Sequence, residues 1–129
     1  MSKQSQIEAL RGDPEVHYNC AQSVLIPYAE ELGMDRETAC RMAQHFGGGM
    51  KIGATCGAVT GALMALGLMG GTQQQAQQLI RRFREEHGAL DCAQLLKLNR
   101  ERGGEKKPHC DRMVYDAARL LEEICQEQN

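Results

Sequence analysis

The chain has 129 residues, a formal charge of −2, six cysteines and no tryptophan. That length is enough for one domain with its own core, and the balanced charge and scarce aromatics exclude the basic face and stacking platform of a nucleic-acid binder. The opening MSKQSQIEALRGDPE lacks the pattern of a secretory signal. The expectation is a cytoplasmic chain in which cysteines serve as ligands or redox groups more often than as staples.

Taken in order, residues 1–12 read as a flexible or loosely helical arm, and residues 13–129 as a single domain. Asp13-Pro14-Glu15 offers an N-cap, a proline in the first turn and an acid behind it, a strong helix start. Val16, Cys20, Val24 and Tyr28 then fall on one face up to Gly33. Asp35 caps a shorter helix over 36–45. After the glycines of FGGGM, a central helix is expected from Thr55 to Met69, ended by Gly70-Gly71. Thr72 opens a helix over 73–87, closed by Gly88. Asp91 precedes a short helix over 92–98, residues 99–107 read as an exposed loop, and a final helix runs from Pro108 to about residue 126. The fold class is all-α, a bundle of five or six helices around a central Gly/Ala-rich helix.

Residues 47–71 hold nine of the fourteen glycines, which makes this stretch the place for close backbone approach. Gly53, Gly57 and Gly61 repeat every fourth residue, a spacing that would serve helix packing in a membrane. Its helical part is about four turns and is rich in Ala and Gly, so no membrane insertion is expected. The glycines are read as admitting neighbouring helices.

Four cysteines sit near predicted helix starts: Cys20, Cys56, Cys92 and Cys110. Unpaired amides and the positive end of the helix dipole favour thiolates there. Cys40 and Cys125, in mid-helix and near the tail, read as core filling. No CxxC pair occurs, which excludes zinc-finger, ferredoxin and c-type haem patterns. His17 and His109 stand close enough in sequence to Cys20 and Cys110 to be auxiliary ligands or to depress a thiol pKa. Solvated helix-end histidines are the commoner case. His45 and His87 fall in last turns, where an imidazolium meets the negative dipole end.

Cys20 in YNCAQSVL, the FGGGM loop, Cys56-Gly57-Ala58-Val59-Thr60-Gly61, Cys92 in LDCAQLL, and Cys110 before the last amphipathic helix resemble the redox-active protein family named C_GCAxxG_C_C. The resemblance runs from about Val16 to Ile124, and departs from the family label in reading Cys-Gly-Ala after Thr55 rather than Gly-Cys-Ala. It implies that Cys20, Cys56, Cys92 and Cys110 act together, and leaves Cys40 and Cys125 outside. A related cysteine domain accompanies haem modules in split-Soret cytochromes with an associated iron-sulfur centre, and this chain lacks the haem-binding part.

Four thiolates suit a [2Fe-2S] iron-sulfur cluster or a tetrahedral Zn²⁺, with Gly48, Gly49, Gly53, Gly57 and Gly61 letting backbone approach the sulfurs. Without metal, two of the thiols would cycle through a disulfide. The leading expectation is electron transfer or redox sensing through an iron-sulfur centre with a redox partner. A metal-free thiol/disulfide protein and a structural Zn²⁺ interaction module stay open, as does a homo-oligomer.

Overall fold

The computed structural model describes residues 2–127 and is helical almost throughout. Seven α-helices are found among these residues: α1 (Lys3–Arg11), α2 (Cys20–Glu31), α3 (Arg36–Ala43), α4 (Gly57–Leu68), α5 (Gln73–His87), α6 (Cys92–Glu101) and α7 (Lys106–Glu127). A π-type turn (Gly49–Gly53) lies between α3 and α4. The all-α class holds, with one or two more helices than expected. No helix is long and apolar enough to cross a membrane.

The extra helix is α1, which lies within the segment expected to be a flexible or loosely helical arm. Ser2 caps it by accepting from the Ser5 amide, and it buries Ile7 and Leu10 against the body. Two apolar residues one turn apart suffice to dock a short helix that would be marginal alone.

The next boundary also moves. Asp13 does not start a helix; its Oδ1 accepts from the amides of Glu15 and Val16, closing a local turn, and Val16 is left exposed. The true start is Asn19. Its side chain accepts from the Gln22 amide while the Gln22 side chain accepts from the Asn19 amide, a reciprocal capping box that outcompetes the proline signal. The same Asn19 side chain donates to the carbonyls of Ala43 and Gln44, tying α2 to the end of α3. An Asn19→Ala chain should therefore lose about 1–2 kcal/mol. We expect its thermal midpoint to fall by about 3–8 °C, measured by circular dichroism.

Helix α4 is the axis of the bundle, in contact with α2, α5 and α7. Its Ala58, Val59, Ala62, Ala65 and Leu66 are buried. Gly61 lies so close to α2 that a Cβ there would stand 2.6 Å from the Ala21 carbonyl oxygen. Gly57 lies nearly as close, 3.0 Å from the Phe46 carbonyl oxygen and 3.2 Å from Cys20 Cβ on the same test. These two glycines draw the start of α4 onto the start of α2.

Among the described residues the one β-type contact is an isolated antiparallel bridge between Thr55 and Asp91. The Cys56 amide donates to the Leu90 carbonyl at 2.8 Å, and the Cys92 amide to the Ala54 carbonyl at 2.7 Å. Backbone hydrogen bonds thus hold the α4 and α6 starts side by side. Helix α6 runs three residues past its expected end, and α7 begins at Lys106 with Pro108 in its first turn, where no amide is needed. The expected long loop shrinks accordingly.

Candidate functional site

Cys20 is the first residue of α2, Cys56 the N-cap of α4, Cys92 the first residue of α6, and Cys110 lies in the second turn of α7. All four line one cavity of about 620 Å³, together with His17, Asn19, Gly48, Gly53, Gly57, Met113, Arg11, Lys106, Lys107 and His109. Cys40 and Cys125 are absent from this wall and pack against the core elsewhere. Gly61, one turn deeper in α4, does not reach it.

One side of the cavity is an unusual piece of backbone. Gly48, Gly49, Met50, Lys51 and Gly53 all have positive φ, a run of left-handed conformation that costs energy at the two non-glycine positions. At Gly49 a Cβ would stand 2.6 Å from the Ala54 amide nitrogen and 2.8 Å from Cys92 Cβ. The turn can sit against the α6 start only because glycine occupies that position.

Charge in the cavity is uneven. Arg11 is 5 % exposed at its side chain, donates to Asp111 Oδ1 at 2.7 Å and to the Tyr18 carbonyl at 2.9 Å, and faces Cys20 and Cys110. The neighbouring Cys20 thiol, with Arg11 and Lys106 nearby, outweighs burial and brings the Cys110 pKa down to about 7. Cys20, the partner that keeps the proton, is pushed far up by Cys110 and by burial. Burial pushes Cys56 up to about 11, against the nearby amides of Ala58 and Val59. Cys92 is also raised, by burial first and then by Cys110. The expected thiolate-favouring effect of helix starts is outweighed by desolvation at Cys56 and Cys92 and by Cys110 together with burial at Cys20.

His17, expected in a helix one turn before Cys20, sits in the non-helical approach to α2 and reaches the cavity. His109 is buried; its Nδ1 has no hydrogen-bond partner, and burial lowers its pKa. His87 departs from expectation. Desolvation lowers its pKa in spite of Asp116 and Glu86, which works against the imidazolium expected at the helix end. Arg11, Lys106 and Lys107 carry the cavity's positive charge and were missed by sequence reasoning. They lie in segments read as an arm and a loop, and nothing local marks them.

Four thiols facing one cavity could serve as ligands of a metal centre; as placed, no three cysteine sulfurs among the described residues lie within 4.8 Å of one another.

A family model described as "Putative redox-active protein (C_GCAxxG_C_C)" matches residues 18–124. The chain belongs to this family. No curated protein and no solved structure matches the chain. The C_GCAxxG_C_C match takes in all four cavity cysteines and most of the residues around them, and leaves out Arg11 and His17.

Proposed function

We propose that this C_GCAxxG_C_C protein is a redox protein whose Cys20, Cys56, Cys92 and Cys110 together hold a cysteine-ligated iron-sulfur cluster, used for electron transfer or redox sensing. The observation that carries this reading is the shared cavity: four thiols from four helix starts around open space. When bound, such a cluster supplies one-electron chemistry at a potential set by its surroundings. The chain's own residues do the rest. Gly48, Gly53 and Gly57 bring backbone to the wall, Arg11, Lys106 and Lys107 offset the negative charge of four thiolates, and Met113 and Leu95 keep part of the lining dry.

The Cys20 and Cys110 thiols, side by side in the cavity wall with opposite pKa shifts, favour a second reading, a metal-free dithiol. The Cys110 thiolate would attack a disulfide substrate, forming a mixed disulfide and releasing one thiolate. Cys20, giving up its proton, would then attack Cys110 Sγ and release the second thiolate, leaving a Cys20–Cys110 disulfide.

Anaerobic purification separates the two. The cluster reading expects a coloured protein with iron and sulfide in equal amounts, bleached by air. A colourless, iron-free protein in which two thiols are lost and regained together would sink it and support the dithiol.

A further inference from the structure

On the other side of His109 from the cysteines, three potential ligand groups meet where α5 ends against α7. Glu86 and His87 close α5, and Asp116 stands on α7. Their ligand atoms all lie within 4.8 Å of one another. His87 Nε2 is buried and has no hydrogen-bond partner, although Asp116 Oδ2 is only 3.1 Å away. A nitrogen and a carboxylate oxygen that close without a hydrogen bond between them leave both atoms with unused ligand capacity. Two ligands of a tetrahedral ion, each at about 2.0 Å, are about 3.3 Å apart. The last turn of α5 adds the negative end of its dipole at that point.

We propose that Glu86, His87 and Asp116 form a second site, for a divalent transition-metal ion with Zn²⁺ as the best fit to one imidazole and two carboxylates, separate from the cysteine cavity. Zn²⁺ takes such N,O donor sets with water as a fourth ligand. The opposing feature is Arg119, whose guanidinium is 2.6 Å from Glu86 and 3.8 Å from Asp116. Arg119 also pairs with Glu123 at 2.9 Å, one turn farther from the site, and can stay on Glu123 when an ion takes the other two carboxylates. Arg112, which also faces His87, and Arg102, which lines the same small cavity as His87, are further positive groups nearby. The site reaches the surface through Glu86, which is exposed, so an ion can enter without opening the bundle.

Co²⁺ serves as the probe in place of Zn²⁺, because thiolate ligation gives it intense charge-transfer bands and N,O ligation only weak visible bands. Full-length, metal-free protein is titrated under argon, and the weak-band species is followed. The expected result is one such Co²⁺ per chain, weakened at least tenfold in Asp116→Asn and Glu86→Gln, unchanged in Cys110→Ser, and tightened in Arg119→Gln. Circular dichroism shows whether each variant is folded, and two independent ligand variants keep the test decisive if one is not. Cobalt bound only with thiolate bands, or bound equally by wild type, Asp116→Asn and Glu86→Gln, overturns the proposal. Because this readout is spectroscopically separate from the cysteines, it stands or falls apart from the cluster reading.

Discussion

Metal-free, reduced protein treated with iodoacetamide at pH 7 will be alkylated at Cys110 long before Cys56, by a factor of at least a hundred. Thiolate, not thiol, is the nucleophile. With Cys110 near 7 and Cys56 near 11, the two differ by about four orders of magnitude in thiolate content at neutral pH, and the lower thiolate nucleophilicity of a low-pKa sulfur recovers only part of that. The sign of the pH dependence follows. Below pH 7 Cys110 takes up its proton and the rate drops about tenfold per unit; above it the rate levels off. Peptide mapping by mass spectrometry over pH 5–9 checks both the order and the midpoint. Removing the neighbouring thiol gives the sharper test. In Cys20→Ala the Cys110 midpoint rises toward an ordinary thiol value. A Cys110 midpoint unmoved in Cys20→Ala would disprove the pairing.

The second large effect concerns the axis of the bundle. Gly61→Ala places a methyl 2.6 Å from the Ala21 carbonyl oxygen and 2.9 Å from Ala21 Cα. These are backbone atoms that cannot rotate away, so α2 and α4 must part. The cost is about 2–3 kcal/mol, and the thermal midpoint should fall by about 10 °C. Gly67→Ala on the same helix is the control, because a Cβ there meets nothing within 4 Å. That variant should gain up to about 1 kcal/mol from helix propensity. Equal melting points for the two variants would mean that α2 and α4 are not held by this contact.

The glycine argument shows what the sequence made legible. The four-residue spacing of Gly57 and Gly61 and the uncharged run around them mark a helix that others must approach closely, and α4 is that helix. The starts at Cys56 and Cys92 were equally readable, because Asp91 and the residues before Gly57 are local signals. What stayed hidden was non-local. Whether Asp13 or Asn19 opens α2 depends on Gln22 and on the carbonyls of Ala43 and Gln44, and no window around Asp13 contains that competition. Arg11 enters the cavity because Asp111, a hundred residues away, holds it there. The fates of the thiols were hidden for the same reason. A helix start predicts a low pKa, but burial and the neighbouring sulfurs decide it, and those come from four separate elements.

The four sulfurs are not held by the same kind of scaffold. Cys56 and Cys92 hang from backbones joined by the Thr55–Asp91 bridge, which nothing short of local unfolding can separate. Cys20 is packed against the α4 start at Gly57, and Cys110, in the second turn of α7, is tied near the cavity by side chains, through Arg11 and Asp111. Of the four, the α7 cysteine thus has the least backbone constraint. If the four thiols hold the proposed cluster, a change in its oxidation state is expected to be taken up at α7 first.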